Sequence, residues 1–350
     1  MRVLILGGTG AMGSHLCKTL VDLGHSVVCT SRQKRPCMNG VSFTVGDAKN
    51  QEFLNTLLSE RWDAIVDFMI WSTDEFRERY EGFLRVTNQY IFTSSYRVYA
   101  DSPIIREDSP RLLDVVKDTN YLSTDEYALR KARCEDMLFR SGKSNWTVVR
   151  PAITYDGACG RLQLGVFESN DWLWRAKNGL LIPIPREMLA KQATMSYGGD
   201  VAKLIALLVG NSAALGESFT VSGSDHMTWN EVVSAYAKVL PFEVMGCDLA
   251  MFERVRGGVY QIRYDRMFDR VVDNSKVLTV TGMKPSDMTG MADGLTRELK
   301  VYLSKEPQLQ LSAGFQGKMD KLCGGIPSAG LVMREGGPVA AAKYFVRRLT

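Results

Sequence analysis

Short hydrophobic runs alternate with amphipathic stretches through the first 150 residues. Apolar runs at 3–6, 27–29, 41–45, 64–70, 90–93 and 146–149 predict six strands. Between them apolar positions recur at helical spacing. Leu16, Leu20, Val21 and Leu23 mark a first helix that Gly24 ends, and further helices are predicted over 51–58, 73–85 and 124–141. Strands alternating with helices in this way predict an α/β fold, a doubly wound parallel sheet covered on both faces. Past Arg150-Pro151 the pattern loosens. Residues 156–192 read as loop-rich with a helix near 166–177. A helix over 200–209 and a strand over 218–221 return to the sheet, and helices follow over 229–240 and 289–303. The expected organisation is therefore a parallel-sheet domain over 1–150 with 196–222 returning to it. A smaller C-terminal substrate lobe comes from 151–195 and 223–304. Residues 305–350 read as a basic, Gly-rich tail with one short helix at 339–348.

Composition narrows the classes. Hydrophobic residues make up 45% of the 350 and charged residues 23%, which excludes whole-chain disorder. The longest uncharged apolar stretch, 204–215, is broken by Gly210, Asn211 and Ser212. A bilayer helix needs about 20 apolar residues, so no membrane partner is expected. One basic residue before a short apolar run, with no small-residue cleavage site, predicts no cleavable leader. The net charge is +4, and residues 305–350 carry seven basic and three acidic residues, hence the whole excess. The neutral body, residues 1–304, shows no broad nucleic-acid footprint, and no DNA partner is expected. Cys17, Cys29, Cys37, Cys134, Cys159, Cys247 and Cys323 form no CxxC pair, and there are only three histidines. No metal site or disulfide framework is expected, and the cytoplasm is the expected compartment.

Between the first strand and first helix lies Gly7-Gly8-Thr9-Gly10-Ala11-Met12-Gly13. A glycine loop so placed aims backbone N–H groups and a helix N-terminus at a pyrophosphate. Gly7 permits the tight turn, Gly10 lets phosphate approach, and Gly13 allows close helix packing; Thr9, Ala11 and Met12 complete the loop. This points to a Rossmann-type domain. At the end of strand two, an acid would bind the ribose hydroxyls of NAD. Here Thr30-Ser31-Arg32 follows, without a carboxylate. Arg32 suits a 2′-phosphate, so NADP(H) is the preferred cofactor and NAD(H) the second choice. Asp47 and Ala48, after strand three, are placed to meet adenine. Phe68, Thr93, Pro151 and Ile153, at later strand ends, complete the expected cofactor site.

Tyr127 and Lys131 stand four apart on a predicted helix, so phenol and ammonium share one face. A phenol has a reference pKa of about 10. A neighbouring ammonium and an oxidised nicotinamide both favour phenolate, making Lys131 the expected tuner of a Tyr127 acid/base. Ser94 and Ser95 end strand five, at the sheet edge where α/β proteins bind ligands.

With these motifs the chain resembles the extended short-chain dehydrogenases/reductases, the NAD(P)-dependent epimerase/dehydratase superfamily. The resemblance rests on residues 7–13, Gly46-Asp47, Ser94-Ser95-x-x-Val98-Tyr99, Tyr127 to Lys131, Arg150-Pro151, Gly199-Asp200-Val201-Ala202 and Gly282-x-Lys284-Pro285, and spans about 1–303. It implies that Ser95 orients substrate, Tyr127 is the acid/base and Lys131 binds the nicotinamide ribose. It also implies a homodimer, although the segment between strand four and Tyr90 is shorter than the one many extended members use for that interface. In this the chain is closer to the branch holding chloroplast stem-loop-binding proteins. Tyr96-Arg97 replaces the acid pair of 4,6-dehydratases, and residues 150–155 lack the asparagine frequent in UDP-sugar epimerases. Arg161, Lys191, Arg263 and Arg266 are candidates to recognise a phosphorylated or nucleotide-linked, sugar-like substrate. Reduction of a carbonyl on such a substrate is the expected reaction. Epimerisation, or a non-catalytic NADP-binding or RNA-binding scaffold on the same fold, are the alternatives.

Overall fold

The computed structural model describes residues 1–36 and 40–350; Cys37 lies outside the described residues. The chain divides into two compact units. One comprises Met1–Thr154, Thr194–Asp225 and Val271–Gly290, the other Tyr155–Ala193, His226–Arg270 and Met291–Thr350.

The first unit holds seven parallel strands: β1 (Arg2–Leu6), β2 (Ser26–Ser31), β3 (Val41–Val45), β4 (Trp62–Asp67), β5 (Thr87–Thr93), β6 (Trp146–Pro151) and β7 (Glu217–Val221). Their order is β7-β6-β5-β4-β1-β2-β3. The chain therefore builds outward from β1 to β3, then restarts at β4 on the other side. The C-terminal ends of β1 and β4 flank this switch point, where open α/β sheets bind ligands.

Helices α1 (Gly13–Asp22), α2 (Gln51–Leu58), α3 (Thr73–Arg77), α4 (Tyr80–Val86), α5 (Tyr127–Phe139) and α6 (Gly198–Leu208) accompany the sheet. The period of two along β1 sorts its side chains between two cores. Val3 and Ile5 pack with Leu16 and Leu20 of α1 and Val201 and Ile205 of α6. Leu4 and Leu6 pack with Leu54 of α2, Phe83 of α4 and Leu138 of α5. The doubly wound reading holds.

Three local expectations are corrected. The strand predicted over 64–70 stops at Asp67, whose side chain accepts from the Met69 N–H at 2.7 Å and turns the chain. The helix predicted over 73–85 is two. α3 starts at a reciprocal Ser72–Glu75 capping box and ends at Arg77, and α4 begins at Tyr80 after a two-residue turn at Glu78 and Arg79. Residues 271–290, expected in the substrate lobe, belong to the first unit, where Val277, Leu278 and Met283 join a core shared with Phe219 and Val221.

In the second unit, helices Ser169–Lys177, Trp229–Ala237, Leu249–Arg256 and Met291–Leu303 accompany short strands, among them Ile182–Pro185 paired parallel with Val244–Cys247. The tail differs most from expectation. It forms α7 (Ala313–Cys323) and α8 (Ala329–Leu349), the latter kinked at Gly337 (φ +68°) ahead of Pro338. A Cβ on Gly317 would stand 2.3 Å from the Tyr344 carbonyl oxygen, so this glycine lets two helices pack backbone to backbone. Fully buried Arg175 pairs with Asp320 at 3.0 Å and donates to Gln316. Asp320 also accepts from the Ser328 N–H and hydroxyl and from Tyr344 OH. Among the described residues no helix is long and apolar enough to cross a membrane, and no cluster of three His, Cys, Asp or Glu side chains offers a metal site.

Candidate functional site

The glycine loop follows β1 at the switch point. Gly7 takes φ +71°, open to glycine at little strain, and its N–H donates to Thr30 Oγ1 at 2.9 Å, tying the turn to β2. A Cβ on Gly13 would lie 2.5 Å from the Gly8 Cα, and one on Gly8 would lie 2.8 Å from Cys29 Sγ. Gly13 and Gly8 therefore let α1 seat against the loop and the loop against β2. Gly8 is a structural requirement that motif spacing alone did not single out. A Cβ on Gly10 would meet nothing within 4 Å. The start of α1 carries no side-chain cap and no acidic residue in its first turn. Thr9, Ala11 and Met12 lie in this same loop.

Arg32 is exposed just past the end of β2. The Gly46 N–H donates to the Ser31 carbonyl, which brings the ends of β2 and β3 together. Asp47 is exposed beside them and accepts from the Lys49 N–H at 3.0 Å; Ala48 is buried. Arg32 and Asp47 thus flank one strand-end corner, with Arg35 donating to Ser31 Oγ close by.

Lys131 is buried on α5, and its ammonium donates to the carbonyls of Met69 (3.1 Å) and Thr93 (2.7 Å). Of its three N–H donors, two clamp the ends of β4 and β5. Beneath it lies Asp67, whose carboxylate accepts from Met69 N–H, Trp71 Nε1 and Tyr90 OH at 2.6–2.7 Å. Burial pushes the Asp67 carboxyl up, while those three hydrogen bonds and the Lys131 charge act against it. Sequence reasoning missed Asp67; the available signal was a carboxylate inside the apolar run 64–70. Ser95 caps the short turn Tyr96–Val98 by accepting the Arg97 N–H at 3.2 Å. Arg97 pairs with Glu126 at 2.7 Å and sets its guanidinium carbon 5.1 Å from the Tyr127 ring centroid. Glu126 is itself the N-cap of α5, accepting the Ala128 N–H. The Ser95 turn and the Tyr127–Lys131 helix are therefore joined through Arg97 and Glu126, which motif reading did not anticipate.

The four candidate substrate residues belong to the second unit. Arg266 is 3% exposed and bound to Asp265, Gln163 and the Gly165 carbonyl, which makes it an interior residue. Arg263 forms a two-pronged pair with Glu253, and Lys191 lies 3.4 Å from Asp269. Arg161 is exposed, with its backbone bridged to Asp156. The structure does not gather these four into one cluster.

A dinucleotide fits the first unit on three counts. Space opens at Gly10. The α1 N-terminus has no carboxylate in its first turn to compete with a phosphate. The hydroxyls of Thr93 and Ser94, at the end of β5, are buried and make no hydrogen bond among the described residues, although buried polar groups normally do. Phe68, Pro151 and Ile153 lie at or just past neighbouring strand ends.

Comparison with known proteins agrees with this geometry. Residues 3–155 match the model of the NAD dependent epimerase/dehydratase family. The chain is 26% identical over 316 residues to the chloroplast stem-loop binding protein of 41 kDa b of Arabidopsis thaliana, covering 84% of this chain and 77% of that protein. It is 23% identical to the photosystem II assembly factor Ycf39 of Synechocystis, covering 87% and 90%. The structure of UDP-glucose-4-epimerase from Stenotrophomonas maltophila with bound NAD superposes with a TM-score of 0.65 at 16% identity, covering 88% of this chain and 100% of that one. Residues 3–155 thus form a domain of the NAD dependent epimerase/dehydratase family, in a chain with the fold of the extended short-chain dehydrogenases/reductases.

Proposed function

We propose that this protein is an NADP(H)-dependent oxidoreductase that reduces a carbonyl on a sugar-like, nucleotide- or phosphate-linked substrate. The observation that carries the reading is the Ser95, Tyr127 and Lys131 set on the sheet edge that holds the glycine loop, with buried Lys131 clamped to both strand ends. A bound dinucleotide would supply hydride. The third N–H of Lys131 would serve its ribose hydroxyl and hold the nicotinamide end relative to α5. Ser95 keeps its hydroxyl proton for the carbonyl oxygen, since its cap interaction uses it as an acceptor. Tyr127 donates the proton that this oxygen takes up, and Lys131 stabilises the phenolate left behind. Arg32, at a β2 end without a carboxylate, supports NADP(H) over NAD(H).

The stem-loop binding relative supports a second reading, a scaffold of the same fold that binds RNA and does no chemistry. The intact Ser95, Tyr127 and Lys131 favour the enzyme, because a scaffold has no need of a phenol and an ammonium together. The test is stoichiometry with a turned-over substrate: reduction consumes one NADPH per product, whereas epimerisation consumes none. Turnover without net NADPH loss rejects the reductase. A chain that binds dinucleotide and RNA but turns over no carbonyl or sugar nucleotide supports the scaffold.

A further inference from the structure

We propose that Arg97 is a specificity-determining residue that favours substrates carrying an anionic group, a carboxylate or phosphate, next to the reacting carbonyl. This rests on the reductase reading above and names the substrate class for the same site.

Three observations lead there. The first is place. Ser95 caps the turn that carries Arg97, accepting its N–H at 3.2 Å, so the guanidinium is fixed two residues from the hydroxyl assigned to the carbonyl oxygen. It lies over the Tyr127 ring, 5.1 Å from its centroid, so it flanks both groups that meet that oxygen. The second is access. The Arg97 side chain is 14% exposed, held firmly without being sealed in.

The third is charge. Glu126 accepts from Arg97 through Oε1, but its Oε2 serves the Ala128 N–H at the start of α5 and the Tyr121 hydroxyl at 3.3 Å. Its negative charge is thereby divided between a cation and the positive end of a helix. Lys131 adds a cation on the same helix, and Asp125, two residues before Tyr127, is matched by two cations, Arg130 and Arg133, each at 3.3 Å. Positive charge prevails around the phenol. A planar guanidinium is the side chain best suited to bind an oxyanion with defined geometry. A carboxylate one bond from the carbonyl carbon would reach it while the carbonyl oxygen rests between Ser95 and Tyr127.

A pair of probes that differ chiefly in charge tests this through the ratio of their rates in each variant: benzoylformate and its methyl ester, each with NADPH, followed by the loss of nicotinamide absorbance. In both, hydride passes to the ketone carbon and a proton to its oxygen, giving the alcohol and NADP. Arg97→Met should lower kcat/KM for benzoylformate about tenfold or more, the size of one lost charge-assisted hydrogen bond, and leave the ester nearly unchanged. Arg97→Lys should keep most of the preference. Glu126→Gln, which cuts the tie but keeps the cation, should not lose it. If Arg97→Met leaves the ratio of the two probes unchanged, the assignment is wrong. If Arg97→Met and Glu126→Gln depress both probes equally, Arg97 is only a tie between the turn and the helix. If the parent reduces the ester at least as well as benzoylformate, the anion preference is wrong while the reductase reading stands.

Discussion

Two glycines of one loop should respond in opposite ways to the same added methyl group. A Cβ on Gly13 would lie 2.5 Å from the Cα and carbonyl carbon of Gly8, backbone atoms that cannot swing aside. Relief requires α1 and the loop to separate by nearly an ångström. Overpacking of this kind costs about 1–3 kcal/mol. Alanine's better helix propensity offsets up to about 1 kcal/mol, and less here because Gly13 opens the helix. Gly13→Ala should therefore lose about 1–2 kcal/mol, a fall of about 2–8 °C in Tm for a unit of this size. Gly10 has no atom within 4 Å of its Cβ position and no positive φ, so Gly10→Ala should leave Tm within about 1 °C. Its methyl would fill the space through which phosphate approaches the loop. Loss of one hydrogen bond to a charged group, about 1.5–3 kcal/mol, weakens NADPH binding roughly tenfold to a hundredfold. Thermal melts and fluorescence titration with NADPH on both variants give the four numbers. Parent-like NADPH affinity in Gly10→Ala would remove the loop from the phosphate site. Parent-like stability in Gly13→Ala would refute the packing argument.

Arg32→Ala should raise the dissociation constant of NADPH about tenfold and leave NADH nearly unchanged, since only the 2′-phosphate contact is lost; equal losses in paired titrations count against the assignment. Tyr127→Phe should reduce turnover by about 10²–10⁴ with cofactor affinity retained, whereas Lys131→Met should impair both by freeing the Met69 and Thr93 carbonyls, and near-normal rates in Tyr127→Phe reject the acid/base role. Truncation after residue 304 should expose Arg175 without Asp320, at a cost of about 3–5 kcal/mol for the orphaned charge, and a truncated chain that melts like the parent would show that α7 and α8 are not part of the core. The Asp273 carboxyl is held below its ordinary value by the Ser275 hydroxyl and N–H and then by Arg106. Because its folded pKa is depressed, its stabilising effect is present above the ordinary Asp range and lost as pH falls through the lowered value. The Tm gap between parent and Asp273→Asn should accordingly narrow from pH 7 to pH 2.5, and a gap that widens contradicts the sign.

What the sequence determined by itself was whatever depends on neighbours within a few positions. Alternation along β1 assigns its side chains to two faces whatever lies beyond them, so a sheet covered on both sides follows from local spacing. Gly7, Gly10 and Gly13 between a strand and a helix, and the four-residue step from Tyr127 to Lys131, are also local, and their place at the sheet edge was legible. Tertiary structure decided everything that needed a distant partner. Arg266 read as a substrate arginine until Asp265 and Gln163 enclosed it. Asp67 acquired its place from Tyr90 and Trp71, and Arg97 acquired one from Glu126. The glycines of 305–350 suggested a loose tail because glycine disfavours an isolated helix. They form helices because Gly317 lets α8 lie against α7 and because Arg175, 145 residues away in sequence, needs Asp320. A helix paid for by packing and a buried ion pair leaves no periodic signature of its own, and only the folded chain brings its partners together.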